Sequence, residues 1–256
     1  GGSPYGYAIP KAVSPSGDLV GGIVAQPFLD VDCWGLRCTA AFLWTPATEI
    51  DTTTLSGFVN LYEQGHSHFR VNPEEVVGLS NSSVLMNASA GSFNEPLIFH
   101  GSSPELLREG NASNRRLFAI DISADGNSAA LTLENGGSPY WQTVRWNRDS
   151  GIEVVVDGGG PTAISGDGQV VVGILVSPPA AGPLKGFRWS ATTGIVPIEA
   201  PTDTGSFVPS DVTTLGEVLV GNGQVGGVPA AFTWNMQDGV TRLAGNEQLP
   251  ELHVTA

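Results

Sequence analysis

Short apolar runs rich in Val, Ile and Leu punctuate the chain. Val154-Val155-Val156, Val170-Val171-Val172 and Val218-Leu219-Val220 are typical, and Gly, Asp, Ser or Pro bounds each of them. β-Branched residues at close intervals, separated by turn formers, predict short strands. No window sustains apolar residues at i, i+3, i+4 and i+7 with capping residues at both ends, so almost no helix is expected.

The runs also recur in a fixed order. Residues 161–198 hold the clearest copy: an apolar strand, the Ser165-Gly166-Asp167-Gly168 turn, a second strand ending at Gly173, a loop, the aromatic strand Phe187-Arg188-Trp189, and a last strand from Gly194-Ile195. The same order runs from Lys11 through Ser16-Gly17-Asp18 to Ala41-Phe42-Leu43-Trp44, and from Ala119 through Asp125-Gly126 to Trp146 and Gly151-Ile152. It runs again from Ser210 through Thr214-Leu215-Gly216 to Phe232-Thr233-Trp234 and Gly239-Val240. A degraded copy runs from Val76 through Asn81-Ser82-Ser83 to Phe99, which takes the Trp position. The aromatic anchors at 44, 99, 146, 189 and 234 are spaced by 55, 47, 43 and 45 residues.

Each unit holds too few residues to bury both faces of its own sheet, so it must pack on its neighbours. The predicted fold is therefore all-β, a β-propeller of four-stranded blades. Five blades are expected, with six as the alternative. They fall at about 8–50, 76–107, 119–155, 161–198 and 209–243 in one domain over 1–256, with an insertion at 51–75. The end segments 1–7 and 244–256 are candidates for closing the ring. His253-Val254-Thr255-Ala256 resembles the opening strand of another copy, such as Pro161 to Ile164.

Charge narrows the partners. A net charge of −14, with Lys11 and Lys185 as the only lysines, disfavours a polyanion, because phosphate contacts need clustered Lys and Arg. Nucleic acid is thus not expected. No apolar run approaches the roughly 20 residues of a membrane helix, and no leader pattern starts at Gly1.

Candidate chemistry is sparse. Cys33 and Cys38, in the stretch that includes Trp34, are the only thiols, and their closeness points to a local disulfide in an oxidising compartment. The competing reading joins them to His66 and His68 as a zinc set, but the spacing matches no common finger or ribbon pattern, so no metal site is assigned. Phe69 lies beside that His pair in the insertion. The repeated Phe and Trp residues suit packing between blades better than sugar stacking. The Ser-x-Asp-Gly turns resemble fragments of calcium loops, yet one turn offers too few oxygens for a 6 to 8 coordinate ion. Local turn bonding is the expected role, and no cofactor is expected apart from calcium as a minor possibility. For a glycosidase-like funnel, Asp30, Asp32, Asp51, Glu74, Glu75, Asp121 and Asp211 are the acids to weigh. Asp121 and Asp211 sit on first strands, whereas Ala12 and Ala163 occupy that place in other copies. No nucleophile elbow, P-loop, dinucleotide fingerprint or His-Glu-x-x-His occurs.

The repeated core resembles the HAF repeat of bacterial extracellular proteins. The residues that carry it are Ser165 to Gly173 with Phe187 to Trp189, Ser123 to Gly126 with Trp146, Ala41 to Trp44, and Ala231 to Trp234. No copy keeps a His before Ala-Phe, and the second copy lacks both Asp-Gly and Trp. The resemblance implies a secreted or surface-exposed bacterial repeat protein and carries no catalytic motif. The expected function is a binding or assembly module for a protein of a surface assembly or an extracellular glycan. Its expected contacts come from blade-edge loops holding Cys33, Trp34, Cys38, His66, His68 and Phe69. The alternative is a polysaccharide-acting hydrolase or lyase using Asp121 and Asp211 in the central funnel.

Overall fold

The computed structural model describes residues 7–26, 38–44, 71–90, 93–100, 103–107, 115–135, 141–175, 185–200 and 204–243. Every regular element among them is a strand. The strands form antiparallel sheets in which chain order equals spatial order. Sheet 1 holds β1 (Tyr7–Val13), β2 (Val20–Gln26) and β3 (Cys38–Trp44). Sheet 2 holds β4 (Val71–Leu79), β5 (Ser83–Ala90), β6 (Phe93–His100) and β7 (Ser103–Leu106). Sheet 3 follows with β8 (Arg115–Ile122), β9 (Ser128–Asn135), β10 (Trp141–Asn147) and β11 (Gly151–Asp157). Sheet 4 comprises β12 (Gly159–Ile164), β13 (Val170–Leu175), β14 (Lys185–Ser190) and β15 (Gly194–Ile198). Sheet 5 comprises β16 (Thr204–Val212), β17 (Val218–Val225), β18 (Val228–Asn235) and β19 (Gly239–Arg242). This is the blade pattern of a β-propeller.

The described residues fall into two compact units, residues 1–112 with 116–119, and residues 113–115 with 120–256. In the first unit, Leu79, Val84, Met86, Leu97 and Phe99 form a buried cluster against Ala12 and Leu19 of sheet 1. In the second, Val171, Phe187, Trp189 and Ile164 of sheet 4 pack on Ala130, Val155 and Val156 of sheet 3. On the opposite face of sheet 4, Ala163, Val170, Val172 and Ile198 meet Phe207, Leu219, Phe232 and Trp234 of sheet 5. A strand buried on both faces cannot alternate apolar with polar residues, which is why β13 reads as an unbroken Val run.

Each aromatic anchor holds one register: Trp44 faces Val20, Phe99 faces Val84, Trp146 faces Ala129, Trp189 faces Val171 and Trp234 faces Leu219. Phe99, Trp146, Trp189 and Trp234 are buried, so these rings build the packing between sheets. The turns follow one plan as well. In sheet 3, the Ser123 hydroxyl donates to Asp125 Oδ1 at 2.6 Å and accepts the Ser128 amide at 2.9 Å, while the Asn127 amide reaches Asp125 Oδ1 at 2.9 Å. Ser165, Asp167, Gln169 and Val170 repeat the set. Gly126 and Gly168 close these turns at φ of 75° and 69°, a region that favours glycine.

Several boundaries differ from the sequence expectation; the third sheet, for one, opens at Arg115 rather than at 119. The proposed insertion at 51–75 ends earlier, because β4 begins at Val71 and pairs with Ala90. Its polar Asn72-Pro73-Glu74-Glu75 stretch reads as loop, but bulges at Pro73/Glu75 and Val76/Gly78 keep the backbone in the ladder. First strands elsewhere carry a bulge too, between Pro10 and Ala12, Pro161 and Ala163, and Pro209 and Asp211. Proline has no amide to give to a ladder, and a bulge is where that loss is tolerated. The fifth sheet likewise opens at Thr204, ahead of the expected 209.

Candidate functional site

Two of the acids weighed for a funnel lie at equivalent places on first strands. Asp121 lies near the end of β8 and Asp211 near the end of β16, each two residues before the first residue of its turn. Sheet 4 lies between sheets 3 and 5 in chain order and packs on both. Asp211 is the smallest of the causes that raise the Asp121 carboxyl.

Asp121 is embedded there. Its Oδ1 accepts the Ile122 amide at 2.8 Å, and its Oδ2 accepts the Ile164 amide of the next sheet at 2.9 Å. Burial drives its carboxyl up, the two amide bonds pull it down, and nearby Asp211 pushes it up again, to about 7 from 3.8. Part of its surface remains open to solvent, so the desolvation comes from surrounding protein rather than from full enclosure. Asp211 accepts the Val212 amide at 2.7 Å, matching the Asp121 to Ile122 bond. Asp121 could exchange a proton at about neutral pH, or serve as a partly buried polar link between sheets 3 and 4.

A second set of polar groups was not singled out from the sequence. Arg145, one residue before Trp146, is only 8% exposed. It donates from Nε to the Gly168 carbonyl at 2.8 Å, from Nη1 to Glu153 at 2.8 Å and from Nη2 to Ser128 Oγ at 3.2 Å. Arg188, one residue before Trp189, repeats the contact to the Gly216 carbonyl at 3.1 Å. Each guanidinium therefore clasps the turn glycine of the following sheet. The turns touch directly as well: the Ala124 amide donates to Gly166 O and the Asp167 amide to Thr214 O, both at 2.9 Å. In the first unit, Asn87 exchanges two hydrogen bonds with the Ala119 backbone, at 2.7 and 3.0 Å, and Asn81 Oδ1 accepts the Ser16 amide at 3.2 Å. The visible signal was an Arg placed identically before two Trp anchors.

The other expected site residues divide in two. Asp30, Asp32, Cys33, Trp34, Asp51, His66, His68 and Phe69 lie outside the described residues. Cys38 opens β3, with its backbone opposite Gln26, and so sits at the start of a strand rather than in a loop. Glu74 and Glu75 fall on β4. The turn carboxylate of Asp125 is taken up locally: burial raises it, but bonds from Ser123 and Asn127 outweigh that and hold it below the usual range. Among the described residues, no three His, Cys, Asp or Glu side chains gather as a metal-ligand group.

No family model matches the chain, and no curated protein does. Solved structures do. TolB from Acinetobacter baumannii is similar at 16% identity and a TM-score of 0.53, over 94% of this chain and 55% of TolB. Prolyl oligopeptidase B from Galerina marginata, as the apo protein, is similar at 15% identity and a TM-score of 0.54, over 91% of this chain and 34% of that one. The chain spans about half the length of TolB and about a third of the oligopeptidase. At such identities the likeness speaks for the fold alone. Repeated antiparallel sheets and these neighbours together give the chain a β-propeller fold.

Proposed function

We propose that the chain is a secreted or cell-surface β-propeller of HAF-repeat type that acts as a binding or assembly module. Its partner is a protein of a surface assembly or an extracellular glycan, met by the Cys33 to Cys38 stretch and the part of the expected 51–75 insertion that precedes β4. One observation carries this reading: the polar groups of the repeat are occupied in joining sheets. The Asp121 carboxylate accepts an amide from the next sheet, and Arg145 and Arg188 clasp the next turn. Such a frame is stiff, and variable loops on a stiff frame are where recognition sits. The composition adds to it, since a charge of −14 disfavours nucleic acid.

A second reading has its own support. A carboxyl pushed up to about 7 beside another acid is the arrangement of a general acid, which favours a polysaccharide-acting hydrolase or lyase with Asp121 as proton donor. One experiment separates the two. The intact chain, a variant with 51–70 replaced by a short Gly-Ser linker, and Asp121→Asn are run on a glycan array and in polysaccharide-cleavage assays. Binding lost with the 51–70 segment, without turnover in any sample, is the expected result. Turnover that disappears in Asp121→Asn assigns the chain to the second reading instead.

A further inference from the structure

The arginine that precedes the Trp anchor is held differently on sheets 3 and 4. On sheet 3, Arg145 uses three nitrogens: Nε donates to the Gly168 carbonyl at 2.8 Å, Nη1 to Glu153 Oε1 at 2.8 Å and Nη2 to Ser128 Oγ at 3.2 Å. Arg188 on sheet 4 keeps the first of these bonds, from Nε to the Gly216 carbonyl at 3.1 Å. The register shows what stands at the other two places. Glu153 faces Arg145 across the ladder, whereas Val196 faces Arg188. Ser128 faces the residue after Trp146, whereas Val170 faces the residue after Trp189. Valines therefore stand where Arg145 finds both partners of its outer nitrogens.

Hydroxyls lie nearest to the outer nitrogens of Arg188. Nη1 is 3.5 Å from Ser190 Oγ and 3.4 Å from Thr193 Oγ1, at the far limit of a hydrogen bond. The hydroxyls are tied more closely to one another, Ser190 Oγ lying 2.7 Å from Thr193 Oγ1 and 3.1 Å from Thr192 Oγ1. Thr192 and Thr193 are exposed and Arg188 is half-buried, whereas Arg145 is only 8% exposed. Burial lowers the Arg188 guanidinium from its usual range, and the charge of Asp167 partly restores it. Asp167 itself is engaged in its own turn, accepting from the Ser165 hydroxyl and the Gln169 amide. A guanidinium that gives up water for one carbonyl and two distant hydroxyls gains most from a carboxylate.

We propose that Arg188, with the hydroxyls of Ser190 and Thr193, is a binding site for a carboxylate, and that its ligand is an acidic side chain of a partner protein, seated as Glu153 is seated on Arg145. The ligand accepts from the outer nitrogens of Arg188 and from the Thr193 hydroxyl. Two observations favour a protein over an acidic sugar. Trp189, next in sequence, points the other way and packs on sheet 3, so it gives a sugar ring no platform here. Leu215, beside the Gly216 that Arg188 holds, is 62% exposed and suits an apolar neighbour of the acidic residue. The net charge of −14 repels polyacidic chains, so the ligand is one carboxylate in an otherwise neutral or basic segment. The site uses none of the residues of the Cys33 to Cys38 stretch or the insertion, and adds a contact to theirs.

The test is a titration of the full chain, 15N-labelled, followed at the Arg188 Nε–Hε and Thr193 amide signals. The probes are N-acetyl-glutamate N-methylamide, its glutamine analogue, glucuronate and sulfate. Expected is a saturable shift with the capped glutamate, at an affinity on the order of tenfold above that of the glutamine analogue, the ratio of one charged hydrogen bond. Arg145, whose carboxylate is already in place, should not move. Val196→Glu should supply the carboxylate from within, as Glu153 does, and abolish the shift, while Val196→Thr keeps it. Arg188→Gln should abolish it as well, and the Val196 variants and the unaltered chain decide the matter even where that variant does not fold. No saturable shift at Arg188, an equal shift at Arg145, or binding that survives Val196→Glu would overturn the proposal. So would tighter binding of glucuronate, which assigns the site to a glycan, or of sulfate, which makes it a general anion site. Each of these failures leaves the edge-segment reading intact, because that reading is tested by removing 51–70.

Discussion

At the scale of single residues, Asp121 shows how one position gains a role its neighbours in the repeat lack. Its equivalent in sheet 4 is Ala163, an apolar packing residue, while in sheet 3 the carboxylate spans two sheets. Its raised carboxyl has a definite consequence for stability. An acid whose folded value lies above its unfolded value binds its proton more tightly when folded, so this group costs stability as pH rises through the window from 3.8 to about 7. The stability advantage of the native chain over Asp121→Ala should therefore be largest below about pH 4, shrink between pH 4 and about 7 and level off above that, as read from paired thermal melts. A carbon-detected titration of Asp121 should have its midpoint near 7 and move down in Asp211→Asn, because the like charge is gone. A midpoint near 4 that ignores the Asp211 change would contradict both the burial of Asp121 and the effect of the Asp211 charge on it. The type of residue at 121 was readable in the sequence; its desolvation was not, because that comes from groups distant along the chain.

At the scale of the element, the repeated strands and turns were largely legible. Short apolar runs, turn hydroxyls and aromatic anchors are local features, and the anchors appear in the ladders at one register. The bulges and the true starts of β4 and β16 were not, since a polar or Pro-containing stretch can still pair when its partner strand is held by the core. Valine 13 makes the same point about burial. It precedes the turn of sheet 1 as Ile164 does in sheet 4, yet it is 61% exposed against 4% for Ile164, which packs among residues of sheet 3. Glycines separate in a similar way. A Cβ at Gly173 would collide with the Gly160 carbonyl oxygen and sit 2.7 Å from Pro161 Cα, both backbone atoms, whereas one at Gly160 would meet nothing within 4 Å. Gly173→Ala should cost several kcal/mol, about 3 or more, and Gly160→Ala less than about 1 kcal/mol, measured by denaturant unfolding. Equal costs at the two positions would show that β12 can move away from β13.

At the scale of the whole molecule, charge is the property that composition alone sets. A net charge of −14 with 11 basic residues makes the folded chain repel itself. Raising the ionic strength from about 0.01 to about 0.15 M shortens the screening length from roughly 30 to 8 Å, so the melting temperature should rise by a few degrees. A melting temperature that falls with added salt would mean that specific ion pairs outweigh the net repulsion. The described surface pairs make that outcome an informative contrast: Lys185 with Glu199 at 2.8 Å is exposed and screened, while Arg145 with Glu153 at 2.8 Å anchors a buried guanidinium.

By itself the sequence determined the all-β class, the repeating unit, the turn chemistry and the position of each aromatic anchor, because all of these follow from residue type at short separation. Only the tertiary structure decided which residues join one sheet to the next. The clasp from Arg145 to Gly168, the bond from Ile164 to Asp121 and the shared field of Asp121 and Asp211 link residues 23, 43 and 90 positions apart. Such pairings depend on how sheets stack. Stacking is set by the summed fit of two buried faces, a property that no short stretch of the chain carries.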